Sequence, residues 1–326
     1  MSSNTQTTPQ SNNQRFTSGT SSDAAIVVEN FTKIYGSNRV VDTLQFTVHP
    51  GEIFALLGPN GAGKTTTIET LEGFRKPDEG QVRVLGLDPI RDVHKLMPQI
   101  GVMLQQDGLY PGLTAREVLK LFAGYYREPQ NIDSLLERVG LNAANKTRCR
   151  RLSGGQKRRL ALAVALVGNP KLVFLDEPTS GMDPQARLAT WEIIRELQQS
   201  GVTILMTTHL MDEAERLANR IAIIDHGRLI ALDTPSGLTG AKSSTVVRFV
   251  APAGLDCTQL LALEFASSAE EIRPGSYLLA TDEASKLIAE LTIWLRDHNI
   301  TLSELRVGHG SLEDLFLRLT GSEMRD

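Results

Sequence analysis

Cysteine, excess charge of one sign and long apolar runs are all in short supply in this 326-residue chain. The two cysteines, Cys149 and Cys257, lie far apart and outside any metal-ligand spacing. Without an export signal such a pair is expected to stay reduced. The longest strongly apolar stretch, 160–167, is about half of the roughly 18–20 residues that cross a bilayer, and Arg158 and Arg159 abut it. No segment is therefore expected to span a membrane. A formal net charge of −4 excludes a general nucleic-acid grip, which needs a concentrated basic face to displace counterions. His49, His94, His226, His298 and His309 show no ligand spacing, so no structural metal is expected. The start of the chain is mostly Ser, Thr, Asn and Gln, without the basic and apolar regions of a secretory signal. Residues 1–24 read as a disordered tail, and the chain as one that stays in the cytoplasm.

What is present is a change of pattern along the chain. Over 25–240, short β-branched runs alternate with longer helical patterns, which predicts an α/β domain with a mainly parallel sheet. Candidate strands are 53–57, 172–175, 203–206 and 221–224. Between them, 116–126 and 132–139 carry helical spacing and predict an inserted helical subdomain. Over 241–326 the pattern becomes that of a small α+β module, with strands at 245–250, 277–280 and 301–307 and a helix at 284–298. Ser311 is placed to cap a last helix, with Asp314 completing a capping box and Leu312, Leu315, Phe316 and Leu319 at helical spacing.

The strongest chemical signal is the run Gly58-Pro59-Asn60-Gly61-Ala62-Gly63-Lys64-Thr65-Thr66. Its glycines permit a loop whose successive backbone N–H groups surround phosphate oxygens. Lys64 reaches the outer phosphates, and the Thr65 hydroxyl can join a Mg²⁺ shell. An apolar strand precedes the loop and a helical run, 64–74, follows it, which puts the phosphates at a positive helix end. A second run, Leu172-Val173-Phe174-Leu175-Asp176-Glu177, ends a buried strand in two adjacent carboxylates. Asp176 suits the Mg²⁺ sphere, and Glu177 could orient or deprotonate the water that attacks a γ-phosphate. Taken alone, such a run is more often a solvated turn.

Many nucleotide-hydrolysing proteins share those two features, and Leu152-Ser153-Gly154-Gly155-Gln156 chooses among them. Here the chain resembles the ABC ATPase family over nearly all of 26–238. Ser153, Gly154, Gly155 and Gln156 would open a helix running through 160–167, a second anion-binding helix terminus. One ATP cannot be cradled by two distant helix ends of one compact domain. The resemblance implies head-to-tail dimerisation, with the Ser153 loop of one nucleotide-binding domain closing over ATP held by the other.

Further positions match in the family's order. Tyr35 stands where an aromatic stacks on adenine. Gln105 or Gln106 corresponds to the glutamine that contacts Mg²⁺ and reports to the membrane partner, and the register of Ile100-Gly101 favours Gln105. Ser180-Gly181-Met182-Asp183 resembles the loop that crosses the dimer interface. His209 matches the switch histidine that bonds the γ-phosphate and helps hold Glu177. The cluster Lys146, Arg148, Arg150, Arg151, Lys157, Arg158 and Arg159 brackets the signature without interleaved aromatics, and no nucleic-acid role is expected of it.

The resemblance implies an ATPase subunit, with ATP and Mg²⁺ as ligands, held peripherally on the cytoplasmic side of the membrane by separate transmembrane subunits. Chromosome-organising relatives carry long coiled coils between the two loops, whereas 88 residues lie between Lys64 and Ser153 here. Ribosome-acting relatives commonly hold two such domains in one chain. An importer subunit and a non-transport regulatory ATPase are the alternatives. The stretch 108–114 and the ending Ser311-Leu312-Glu313-Asp314-Leu315-Phe316 are similar to exporters of the daunorubicin-resistance type, which implies export of a drug-like, antibiotic or lipid-like substrate.

Overall fold

A computed structural model of the chain describes residues 24–104, 108–239, 245–309 and 311–320. The expected tail before Ala24, and both Gln105 and Gln106, lie outside the described residues. The first part runs β1 (Ile26–Tyr35), β2 (Asn38–Val48), β3 (Ile53–Leu57), α1 (Lys64–Leu71), β4 (Glu79–Val84), α2 (Val93–Leu96), β5 (Ile100–Met103), α3 (Ala115–Ala123), α4 (Ile132–Arg138), α5 (Gly154–Leu166), β6 (Leu172–Asp176), α6 (Pro184–Gln199), β7 (Thr203–Thr207), α7 (Met211–Leu217), β8 (Arg220–Asp225), β9 (Arg228–Asp233) and α8 (Pro235–Thr239). After 244 come β10 (Thr245–Val250), α9 (Cys257–Leu261), β11 (Ser268–Arg273), β12 (Ser276–Thr281), α10 (Ala284–Asp297), β13 (Glu304–His309) and α11 (Leu312–Thr320).

The central sheet has the order β5-β6-β7-β3-β8-β9 and is parallel except for the β8–β9 pair. Its inner strands read as unbroken apolar runs because both faces are covered. In β3, Ile53, Ala55 and Leu57 enter the core beneath the helices, while Phe54 and Leu56 enter a second core. The same alternation repeats in β6, where Val173 and Leu175 oppose Leu172 and Phe174. The second core is closed by an antiparallel sheet of order β2-β1-β4, with α1 between. No helix among the described residues is long and apolar enough to cross a membrane.

The helices α3, α4 and α5 are inserted between β5 and β6, which are neighbours in the sheet. Each starts at a residue that accepts from its own first turn: Thr114 from Glu117 N, Asn131 from Asp133 N and Ser134 N, and Ser153 from Gln156 N. A cap of this kind is worth about 1 kcal/mol.

The last sheet, β11-β12-β10-β13, is wholly antiparallel and has its own core. Leu287, Leu291 and Leu295 of α10 recur every four residues and pack with Val247, Phe249, Tyr277 and Leu279. The final helix departs from this unit, since Leu312 and Phe316 are fully buried in the large core under the central sheet. Its start is fastened from both sides. Ser311 Oγ accepts from Asp314 N at 3.2 Å and Ser311 N donates to Asp314 Oδ2 at 3.1 Å, forming the expected box. Arg248 of β10 pairs with Asp314, and Leu312 N donates to Glu215 of α7.

Several boundaries differ from expectation; the helix expected at 116–126, for one, runs Ala115–Ala123. The helix after the phosphate loop ends at Leu71 rather than 74, because Gly73 takes φ +85° and turns the chain into the Lys76-Pro77 corner. The strand expected at 301–307 lies at Glu304–His309, paired with β10 from Glu304 opposite Val250.

Candidate functional site

Three strands adjacent in the central sheet, β6, β7 and β3, end at the same edge. In a parallel sheet that carboxyl edge is where side chains on successive loops converge. The phosphate loop leaves β3, the acid pair leaves β6, and Thr207-Thr208-His209 leaves β7. Asp176 pairs in register with Thr207, and Leu56 with Thr207 from the other side, so the three loops share one level.

The loop has the backbone its sequence requires. Gly61 and Gly63 take φ of +84° and +98°, a region open chiefly to glycine, and such left-handed turns aim consecutive N–H groups into a concavity that suits anions. A Cβ on Gly63 would lie 2.9 Å from Val40 O, and one on Gly58 would lie 2.3 Å from Ile224 O, so neither position accepts a side chain. Gly63 is also the residue from which α1 starts, with Lys64, Thr65 and Thr66 in its first turn. Lys64 Nζ folds back over the loop, donating to Gly58 O at 2.6 Å and Pro59 O at 3.0 Å. Burial pushes its ammonium below the usual lysine range, while Glu177 and Asp176 nearby oppose that shift. Phosphate oxygens would be stronger acceptors for this cation than two neutral carbonyls.

The acid pair is held by Thr207. Its Oγ1 donates to Asp176 Oδ1, and Glu177 N donates to Thr207 O at 3.1 Å. Burial raises the Asp176 carboxyl, and Glu177 adds to the rise against Thr207, Arg158 and Lys64. An acid destabilised in this way gains from a cation brought beside it. Glu177 sits at φ +49°, a strained setting for a non-glycine residue, costing on the order of 1–3 kcal/mol. Its carboxylate lies beside His209, with Nδ1 to Oε1 at 3.4 Å.

The signature lies on the inserted helices. Ser153 N donates to Gln156 Oε1 at 3.0 Å and Gln156 N to Ser153 Oγ at 3.2 Å, while Ser153 and Gly154 are exposed. A Cβ on Gly155 would lie 3.7 Å from Ala186 Cβ and 3.8 Å from Met182 Cγ. The signature thus packs against the Ser180–Asp183 loop, where Asp183 caps α6 by accepting from Ala186 N at 2.9 Å. Tyr35 ends β1 half-exposed.

Several contributors were not anticipated. Thr207, whose sequence context is an apolar strand, orients both acids. Arg158 and Arg159, expected only as part of a basic cluster, serve the framework: Arg158 Nη1 donates to Leu104 O at 3.1 Å and Arg159 Nη1 to Val139 O at 3.0 Å. Glu72, at the end of α1, is buried with Oε2 lacking a hydrogen-bond partner. Burial, and then Asp176 and Glu69, push its carboxyl up to about 8. Its sequence neighbours, among them Glu69, Thr70, Arg75 and Lys76, give no hint of this burial. Among the described residues no group of three or more His, Cys, Asp and Glu forms a metal cluster. A divalent ion here would therefore rely on Asp176 together with hydroxyl and phosphate oxygens, a donor set that suits Mg²⁺.

The chain is similar to known proteins in sequence and in fold. Residues 41–180 match the family model described as ABC transporter. The Nod factor export ATP-binding protein I of Paraburkholderia xenovorans is 40% identical over 314 residues, covering 93% of this chain and 99% of that protein. The linearmycin resistance ATP-binding protein LnrL of Bacillus subtilis is 35% identical over 307 residues, covering 91% and 99%. Among solved structures, cbiO1 from Clostridium perfringens, part of the ABC transporter complex cbiONQ, matches with a TM-score of 0.62 at 28% identity, over 68% of this chain and 92% of that one. A dimeric structure of the ATP-binding cassette MJ0796 bound to ADP and Pi matches with a TM-score of 0.59 at 26% identity, over 64% and 98%.

Proposed function

The chain belongs to the ABC transporter family, and from that premise we propose that two copies of its first domain, 25–240, bind Mg-ATP between them and hydrolyse it. It is an ATP-binding subunit of the exporter type, an ATPase that powers a transporter whose membrane subunits are separate chains. The observation that carries the mechanistic reading is the meeting of the Lys64 loop, the Asp176–Glu177 pair and His209 at one sheet edge.

In this reading Gly58, Asn60, Gly61, Ala62, Gly63, Lys64, Thr65 and Thr66 hold the phosphates, and Tyr35 stacks on the base. Thr65 and Asp176, with Gln105, would hold Mg²⁺, whose charge offsets that of the phosphate oxygens. Glu177 orients the attacking water and accepts its proton. His209, already within 3.4 Å of Glu177, keeps that carboxylate aimed and reaches the γ-phosphate. The alkaline drift of a buried acid is useful only in moderation here, and the Thr207 hydrogen bond, then Arg158 and Lys64, restrain it at Asp176.

Ser153, Gly154, Gly155 and Gln156 of one copy complete the site of the other, and Asp183 crosses the same interface. The contact between Gly155 and the Met182 loop supports this, because it presents both segments as one surface. Val102, Met103, Leu104, Leu109, Phe122 and Val164 line an apolar groove that suits a segment of the membrane subunit. Residues 241–326 act as an accessory module, and the subunit sits peripherally at the cytoplasmic side of the membrane. Relatives named for Nod factor export and linearmycin resistance support the reading of export of a drug-like, antibiotic or lipid-like cargo.

Glu177→Gln keeps the shape of the side chain and removes its basicity. The variant should bind Mg-ATP, hydrolyse it far more slowly and accumulate as a dimer on size-exclusion chromatography. A variant that stays monomeric at saturating nucleotide would overturn the shared-site reading.

A further inference from the structure

Tyr35 is gripped by two cations. Lys33 Nζ lies over its ring 5.5 Å from the centroid, and Arg75 Cζ lies over it at 5.6 Å. Both cations are themselves fixed. Lys33 Nζ donates to Lys76 O at 2.8 Å and Asp78 Oδ1 at 3.3 Å, while Asp78 Oδ2 accepts from Ile34 N at 2.7 Å. Arg75 Nε donates to Glu69 Oε2, and Arg75 N donates to Glu69 O at 3.1 Å. The hydrogen bond to Glu69 holds the guanidinium above its ordinary arginine value. Glu69 belongs to α1, the helix whose first turn carries Lys64 and Thr65.

The tyrosine therefore touches the phosphate-binding helix through a short chain of contacts, from Tyr35 to Arg75 to Glu69. We propose that Arg75 is a positioning residue for base recognition, latching the Tyr35 ring to α1 so that the base and the phosphates are held in one fixed relation. The proposal rests on the reading of Tyr35 as the base-stacking aromatic. Its physical content is that a planar cation over the ring, itself bonded to Glu69, restrains an otherwise half-exposed side chain against α1.

The test uses the full-length chain and two probes with Mg²⁺: a non-hydrolysable adenine nucleotide and inorganic tripolyphosphate, which has no base. Affinities would be measured by calorimetry for Tyr35→Ala, Arg75→Met, Arg75→Lys and the Tyr35→Ala/Arg75→Met double variant, each with its melting midpoint. Arg75→Met should weaken the nucleotide by about 2- to 5-fold, the equilibrium equivalent of an exposed cation–π contact. Tripolyphosphate should bind as before, Arg75→Lys, which keeps the charge but not the planar fork, should recover only part of the loss, and Arg75→Met should add nothing in the Tyr35→Ala background. Equal losses for both probes, additive losses in the double variant, or tighter nucleotide binding would each overturn the latch. A silent Arg75→Met beside a defective Tyr35→Ala sinks the latch alone, whereas a silent Tyr35→Ala sinks the base-stacking reading beneath it.

Discussion

Replacing Glu72 by glutamine should make the protein more stable at alkaline pH while changing little in acid. Glu72 is 2% exposed, its Oε2 has no hydrogen-bond partner, and its carboxyl is raised from 4.5 to about 8 by burial and by the nearby Asp176 and Glu69. The folded state therefore keeps a proton that the unfolded chain has already released at neutral pH. Between pH 4.5 and 8 the folded state binds more protons, so stability falls as pH rises through that window. Below 4.5 both states are protonated and the carboxyl imposes no such penalty. The slope approaches ~1.4 kcal/mol per pH unit, and the interval from 4.5 to about 8 amounts to about 5 kcal/mol. A glutamine side chain carries no ionisable proton and removes this dependence. The assay is urea unfolding of nucleotide-free protein at intervals from about pH 5 to about pH 9, with the wild type and Glu72→Gln compared at each pH. The variant's advantage should widen by several kcal/mol across the series. Parallel curves would show that Glu72 is solvated or paired in solution, and the reasoning from its buried, unpartnered oxygen would fail.

Other outcomes follow from the same geometry. Lys64→Ala removes the only charge that the phosphate loop itself contributes, and nucleotide binding should fall by at least about tenfold, measured by equilibrium dialysis. Mixing Lys64→Ala with Ser153→Arg subunits should restore tight analogue binding at one intact composite site per heterodimer. A chain carrying both changes, mixed with wild type, should form heterodimers with no intact site, and rescue in that second mixture would refute sharing. Phe316→Ala leaves a cavity in the large core and should cost about 3–5 kcal/mol. Calorimetry should then show a lower melting temperature for the unit that binds nucleotide, not for the last sheet alone.

Much of this arrangement was legible because its signals are short-range. Strands buried on both faces, such as β3 and β6, are apolar runs of about five residues, and the phosphate loop, the acid pair and the Ser153 cap each lie within one contiguous segment. The antiparallel sheet was harder to see. The β1 pairing with β2 shifts register between Val28 and Phe31 and again near Lys33, so its inward residues do not keep a strict period of two. Glu72 and Thr207 could not be recognised as contributors, because burial and a partner across the sheet are tertiary facts. The same holds for Arg158 and Arg159. Their sequence shows only a basic cluster, and the main-chain oxygens that employ them follow the ends of β5 and α4.

The route of α11 has a consequence for how the protein holds together. Leu312 and Phe316 follow the last sheet in the chain, yet they fill a slot in a core whose other buried walls are residues from 53 to 223. Without them the unit would expose an apolar slot, a feature that chaperones hold and proteases exploit. A chain cut between residues 245 and 311 would therefore keep every nucleotide-binding motif but leave that core open. Packing of the final helix thus ties the integrity of the nucleotide-binding core to a segment that lies beyond the last sheet.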